Sequence, residues 1–499
     1  MNKPIKKIVI VGGGTAGWAA AAALSNTVKH IVDIILVESD EIGTIGVGEA
    51  TIPPMRNFNG IAGIDEREFL SIASGSFKLG IKFENWYQKD HEYFHAFGSL
   101  GKASWMAGFQ HVLFHAEAQG MKIDLADYFL ELRAAKNNKC YFDEKNPLSY
   151  AYHLDATAYA KWLRNICIKR GVTRVEGKVR EVLQHSENGF ISSLALESGQ
   201  VVEGDFFIDC TGFRALLIEK TLQTGFEDWS HWLPVDRAWA VQIDENKEPA
   251  PYTTSSARSA GWQWHIPLQH RTGTGMVYCS KYISDEDARA ELIANLQGNM
   301  VNEPRNIKFE TGRRKQQWNK NVLSLGLSSG FLEPLESTSI YLMMIGITRF
   351  IQQFPYFGVN QSQVDYYNKI AKEEFESIRD FIILHYKLTD REDTPFWRYM
   401  KYCEVPVALS EKIQLFKDTG HIYPDPSDIF RNYSWLQVMM GQGLKPSTYH
   451  PVAKLISDKD LKNSLEAVKQ QIHAKVNAMP SHTEFLKVYC PRRVETEMV

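Results

Sequence analysis

The chain is poor in cysteine, and what it has follows no pattern. Cys140, Cys167, Cys210, Cys279, Cys403 and Cys490 are far apart and form no CxxC pair. That usage argues against a disulfide framework or a structural zinc site and suits a reducing, cytoplasmic setting. No run approaches the about 20 apolar residues that a membrane span needs. Neither sign of charge is in excess: Lys and Arg number 56 against 59 for Asp and Glu. A basic footprint for nucleic acid or a membrane surface is therefore absent. No repeat at a fixed period and no low-complexity linker is found. What is present is 499 residues of which 44% are hydrophobic, enough to bury a large core in two or three domains.

The opening stretch, NKPIKKIVIVGGGTAGWAAAAAL, begins with lysines and runs apolar into small residues, as a signal peptide does. Three successive glycines would break a helical h-region, however, and the sequence continues as an α/β unit. KKIVIVG reads as a buried parallel strand, TAGWAAAAALSN as a helix and VDIILVES as the next strand. Further strands are expected in SFKLGIKF, KVREVLQ, ISSLALES and VEGDFFIDCTG, with two around a turn in GWQWHIPLQHRTGTGMVYCS. After about residue 340 the spacing becomes helical, as in SQVDYYNKIAKEEFESIRDFIILHY and DKDLKNSLEAVKQQIHAKV. The expected organisation is an α/β part, residues 1–355, followed by a helical part, residues 356–499. In SFKLGIKF, Phe77, Leu79, Ile81 and Phe83 alternate with Lys78, Gly80 and Lys82. Periodicity defines these two faces without saying whether Lys78 meets water or a cavity.

Within VGGGTAGW, Gly12, Gly14 and Gly17 fit GxGxxG, with Gly13, Thr15 and Ala16 between them. Gly12 permits the turn, Gly14 lets a pyrophosphate approach, and Gly17 lets helix and strand pack closely. Glu38 ends the next strand, about 20 residues on, where an acid binds ribose. FFIDCTGFRA places Asp209, Thr211 and Gly212 at the end of a later apolar strand. In two-part flavoproteins such a strand returns beside the first, which favours FAD over a nicotinamide nucleotide. A second GxGxxG is missing, so the chain is not expected to reduce its own flavin.

VGGGTAGW, GVGEATIP, SFKLGIKF with NW after it, YFHAFG, GWQWHIPL and FLEPLEST occur in that order. This set resembles the flavin-dependent tryptophan/indole halogenase family, with GWQWHIP matching its GWxWxIP signature. The resemblance implies an α/β, monooxygenase-type FAD fold with a helical C-terminal region, and a division of labour. Oxygen is activated on reduced FAD, and a halide, chloride or bromide, attacks it to give a hypohalous acid. The acid passes through a tunnel to a separate aromatic substrate, where Lys78 and Glu336 are the matching catalytic residues. Lys78 would hydrogen-bond the acid or form a haloamine, and Glu336 would face it as an opposite charge and take the ring proton. The family's halide-binding amides match Thr338 and Ser339, and its substrate-flanking residues match His95, Phe97 and Tyr433. Trp262 and Trp264 would keep substrate from the flavin. Glu49, Ala50, Val179, Leu327 and Ile340 join the glycine turn, Glu38 and Asp209 as FAD contacts. A separate NAD(P)H-dependent flavin reductase and a homodimer are also implied.

Two departures qualify the match. Ser339 stands where the family usually has glycine, and the stretch NYSWLQVMMGQGLKPSTYH carries Tyr433, Trp435, Gln442 and Tyr449 but no carboxylate for a substrate ammonium. The second favours indole, a substituted indole or a larger aromatic over free tryptophan. An aromatic hydroxylase using the same flavin, or a flavin-binding protein without turnover, are the alternatives.

Overall fold

The computed structural model describes residues 4–42, 48–101, 106–245, 247–423, 425 and 428–493. Gly46 and Val47 of the GVGEATIP motif lie outside them. The apolar strand Lys7–Val11 sits at the centre of a six-stranded sheet, flanked by Asp33–Glu38 and Phe206–Asp209. Both pairings are parallel, with Val11 opposite Val37 on one side and Asp209 on the other. Helix Thr15–Thr27 packs its alanines, fully buried from Ala19 to Ala23, against the sheet. The late acidic strand thus returns beside the first one, as its sequence suggested.

A second, eight-stranded sheet joins Arg237–Asp244, Thr272–Tyr278, Gly261–Pro267, Thr253–Arg258, Gly80–Glu84 and Glu92–Ala96, with Asn299–Met300 and Arg305–Lys308 at the Arg237–Asp244 edge. A small third sheet, in which Ala151–Asp155 pairs with Gly48–Ala50 and with Ser76–Lys78, packs through Gly48–Ala50 on the eight-stranded one. SFKLGIKF is therefore not one strand. Ser76–Lys78 belongs to the small sheet and Gly80–Glu84 to the large one, and the chain changes sheets at Leu79. The change buries both faces at Lys78, whereas Lys82 reaches the surface to pair with Glu84 and Glu92.

Gly80 marks that junction. A Cβ there would lie 2.5 Å from the carbonyl oxygen of His95 and 2.6 Å from Ala96 Cα. Gly80→Ala is expected to pry the strand carrying His95 away and to destabilise the fold by about 1–3 kcal/mol, the usual cost of overpacking, read as a lower melting temperature.

The C-terminal part is helical, with Ser339–Gln352, Gln361–Lys387, Asn432–Gly441 and Asp458–Ala478 prominent. It is not set apart from the rest. One core cluster combines Ile8 and Phe77 with Phe485, and another combines Phe83 and Trp262 with Phe381 and Trp435. The last turn of Gln361–Lys387 is buried on all sides from Phe381 to Tyr386, which brings two polar side chains, His385 and Tyr386, into the interior.

Candidate active site

The glycine turn is built for close approach. Gly12 has φ +112, and a Cβ on it would lie 2.2 Å from the carbonyl oxygen of Cys210. A Cβ on Gly17 would lie 1.8 Å from the Gly12 oxygen, and one on Gly13 would overlap the Glu38 carboxylate. Gly14 faces open space and caps helix Thr15–Thr27 without a side-chain hydrogen bond. The first amide of that helix to reach a carbonyl is Trp18, bonded to Gly14. Among the described residues, the N–H groups of Thr15, Ala16 and Gly17 thus have no backbone acceptor, which suits a phosphate at the helix start. Glu38 stands beside this turn, held by Arg174 Nε at 2.6 Å and Trp18 Nε1 at 3.3 Å.

Asp209 is fully buried and its carboxylate accepts four hydrogen bonds, from Thr211 N and Oγ1 and from Leu217 N and Ile218 N. Its side chain is spent on shaping the turn after the strand, so contact with a nucleotide from this position runs through backbone. Its carbonyl accepts from Leu325 N and Ser328 Oγ, which fixes the turn Gly326–Ser328 beside the glycine loop. A Cβ on Gly326 would lie 2.9 Å from Ala16 Cβ, so Leu327 and Ala16 share one rim. Glu49 and Ala50 sit on the strand Gly48–Ala50, and burial pushes the Glu49 carboxyl up to about 7. Val179 and Ile340 are buried apolar groups. An open anion cradle, a carboxylate at its side and a rim of small and apolar groups fit a dinucleotide of the FAD type.

Lys78 is wholly buried. Its Nζ donates to Thr51 O at 3.1 Å and to Ser337 Oγ at 2.7 Å, and it lies 5.6 Å from the centre of the Phe97 ring. Burial pulls its pKa down to about 7 against the opposing pull of Glu336, so amine and ammonium coexist near neutrality. The expected direct pairing with Glu336 is absent, because each group has other partners. Glu336 is buried between two imidazoles: His95 Nδ1 is 2.8 Å from Oε2, and His385 Nε2 is 2.8 Å from Oε1. The His385 contact is close but out of line, which leaves Oε1 without an aligned donor. Burial raises the Glu336 pKa, but the two histidines outweigh it and hold the carboxyl at about 2. His385 Nδ1 in turn meets Tyr93 Oη at 2.8 Å.

Ser337 has φ +59 and ends the short turn Pro334–Glu336, after which helix Ser339–Gln352 begins. Thr338 caps that helix without a side-chain bond, and its buried Oγ1 has no partner. The first amide to reach a carbonyl is Leu342, bonded to Thr338. Among the described residues, the N–H groups from Thr338 to Tyr341 thus have no backbone acceptor, as at any uncapped helix start. Ser339 is the first helical residue and carries no positive φ, so serine is accommodated here without strain.

His95 is tied to Glu336 and meets the edges of Phe381 and Phe430 at 5.4 and 5.9 Å. Phe97 is half-buried near Lys78, while Tyr433 lies further along, edge-on to Phe129. Trp262 and Trp264 are buried neighbours 6.2 Å apart. Sequence reasoning missed His385 and Glu333. Both carried a signal: a histidine inside the apolar run FIILHY, and a second glutamate three residues before Glu336 in a loop otherwise apolar.

A Rossmann-type dinucleotide fold joined to a second sheet, with a buried amine and carboxylate near an uncapped helix, marks a dinucleotide-binding enzyme. The family model described as tryptophan halogenase matches residues 7–458. Tryptophan 7-halogenase RebH of Lentzea aerocolonigenes is 33% identical over 98% of this chain and 99% of its own length. Among solved structures, Xcc4156, a flavin-dependent halogenase from Xanthomonas campestris, superposes with a TM-score of 0.97 at 46% identity, covering 99% of this chain and 100% of that one. BrvH, a flavin-dependent halogenase from Brevundimonas sp. BAL3, does so with 0.93 at 41%, covering 98% and 99%. The chain belongs to the tryptophan halogenase family and is a flavin-dependent halogenase.

Proposed function

We propose that this enzyme halogenates an electron-rich arene lacking a charged amino-acid group, an indole or indole derivative, with Lys78 and Glu336 delivering the halogen. Bound reduced FAD, supplied by a separate NAD(P)H-dependent reductase, provides with O2 the oxidising power that turns chloride or bromide into hypohalous acid. The cradle at Gly12–Gly17, with Glu38, Glu49, Ala50, Val179, Asp209, Leu327 and Ile340 around it, would hold that cofactor. The observation that carries the reading is Lys78, a fully buried amine held by the Thr51 carbonyl and the Ser337 hydroxyl, with no contacting carboxylate among the described residues. As an ammonium it polarises the oxygen–halogen bond; as an amine it takes the halogen from the acid, the O–halogen bond breaking and the hydroxide leaving as water with an amine proton. The amides of Thr338 and Ser339 hold the halide. The lone pair left on Glu336 Oε1 takes the ring proton, while His95 and His385 keep the carboxylate in place. His95, Phe97 and Tyr433 bound the arene, and Trp262 and Trp264 wall the halogen's path.

The substrate class is supported by what the C-terminal groups are already doing. Gln442 Nε2 donates to His385 O, Trp435 Nε1 to Phe430 O, and Tyr449 Oη meets His115 Nδ1. Gln437 spends both amide atoms on the backbone of Ala96. Beside His95 stand Phe381, Phe430 and Trp435, with the two phenylalanines stacked at 4.0 Å. Gln442 Oε1 is left without a partner, but none of these groups carries a charge, so a buried ammonium and carboxylate would find no opposite charge among them.

Purified protein given a flavin reductase, FAD, oxygen and bromide should convert indole to a product with the bromine isotope doublet, and convert free tryptophan far more slowly. Preference for tryptophan would refute the substrate class. Incorporation of oxygen from dioxygen, without any need for halide, would refute the halogen route.

A further inference from the structure

Glu333 is fully buried and opens the turn that ends at Glu336. Its Oε2 accepts from Trp262 Nε1 at 2.5 Å and from Tyr386 Oη at 2.8 Å, while Oε1 has no partner. The neighbours of this carboxyl are aromatic: Trp86 packs on Tyr386 at 5.0 Å and on Trp262 at 6.5 Å. The helix Gln361–Lys387 thus presents adjacent side chains to the two glutamates of one loop, His385 to Glu336 and Tyr386 to Glu333. We propose that Glu333 is a positioning residue for halogen delivery: through one oxygen it locks Trp262 and Tyr386, and so fixes the indole wall relative to the Lys78–Glu336 loop.

The bare Oε1 says which form of the group does this. An ionised carboxylate with an unpaired oxygen among aromatic rings is costly, whereas a neutral acid leaves only one O–H unmet. Burial accordingly pushes the Glu333 carboxyl up to about 7 despite the two donors. In the neutral form, which dominates below about pH 7, its carbonyl oxygen takes both hydrogen bonds. Glutamine reproduces that arrangement, and leucine reproduces only the volume. Freed of its anchor, the Trp262 indole would tilt, and misplacement of about 1 Å near a reacting centre can cost ~10²-fold.

This inference rests on the reading of Trp262 as a wall of the halogen's path. The experiment compares wild type, Glu333→Gln, Glu333→Leu, Tyr386→Phe and Trp262→Phe. Three quantities are read: halogenated indole formed per O2 consumed, hypohalous acid caught by a scavenger in solution, and the infrared C=O band of a buried protonated carboxyl. Glu333→Leu and Trp262→Phe should lower the product yield per O2 by roughly tenfold, within the cost of ångström-scale misplacement, with a matching rise in scavenged acid. Glu333→Gln should stay near wild type in both while losing the infrared band. A folded, flavin-binding Glu333→Leu that couples as well as wild type overturns the proposal, and so does a Glu333→Gln that leaks like Glu333→Leu. Should Glu333→Leu not fold, Tyr386→Phe decides: a partial leak supports the lock, and unchanged coupling refutes it. A wild type that yields neither product nor scavenged acid refutes the reading of the site instead, and the infrared band, present in wild type and lost in Glu333→Gln, then judges Glu333 by itself.

Discussion

Lys78→Met should stop halogen transfer and make the protein more stable. Transfer is expected to fall by ~10²–10⁴-fold, the range for removing a positioned proton-transfer or nucleophilic group, while scavenged hypohalous acid persists. The stability gain follows from burial. Lys78 has no solvent and no contacting carboxylate, and its pKa is drawn from the ordinary 10.5 down to about 7. Each tenfold change in acidity is worth about 1.4 kcal/mol, so at neutral pH the lysine costs the fold ~3–5 kcal/mol. Methionine removes that cost but orphans the Thr51 carbonyl and the Ser337 hydroxyl, giving back about 1–3 kcal/mol, and a net gain remains. Its pH dependence has a fixed sign. Between pH 7 and 10.5 the unfolded lysine holds a proton that the folded one lacks, so wild-type stability rises with pH. The advantage of methionine is largest at and below pH 7 and fades towards 10.5. Melting temperatures of the two proteins across that range measure it. The halogen-transfer rate of the wild type should also show a step near pH 7 that Lys78→Met lacks. A rising step identifies the amine as the acting form, and a falling step the ammonium.

The sequence was most informative where chemistry is local and least where it depends on two distant segments meeting. The βαβ opening, the return of the acidic strand and the long C-terminal helices were legible because periodicity and glycine spacing encode them directly. The glycines carried still more: Gly12, Gly13 and Gly17 are each required by an atom that a Cβ would strike. SFKLGIKF misled because strict alternation looks the same in one strand as in two short ones in different sheets. Nothing in it marks Leu79 as the crossing, and only Gly80, pressed against the neighbouring strand, hints at a break. The Lys78–Glu336 pairing was a reasonable inference from opposite charges in a dry interior, but it overlooked competitors. Ser337 lies one residue from Glu336 and reaches Lys78 first. His385, 49 positions further on, reaches Glu336, and no local pattern announces a contact across that distance.

Those competitors determine what Glu336→Gln should do. The carboxylate at about 2 is ionised at every working pH, and both neighbouring imidazoles are set to serve it. In the tautomer protonated on Nε2, His385 accepts from the Tyr93 hydroxyl on Nδ1 and turns its N–H to the side of Glu336 Oε1, 2.8 Å away. An amide can satisfy one histidine with its oxygen but must turn its NH2 towards the other, where a ring N–H already points. One ring has to change tautomer or turn away, and the free lone pair on Oε1 disappears in the same step. Loss of the ring-proton acceptor and of the charge opposite Lys78 should together lower halogen transfer by ~10²–10³-fold, with flavin binding unaltered. Without the negative charge, the pull that keeps the Lys78 pKa from falling further is gone, so the step near pH 7 in the transfer rate should move to lower pH. A structural role alone would leave that step in place. Single-turnover halogen transfer across pH, in Glu336→Gln beside wild type, therefore separates a carboxylate that acts on the reaction from one that only holds two histidines.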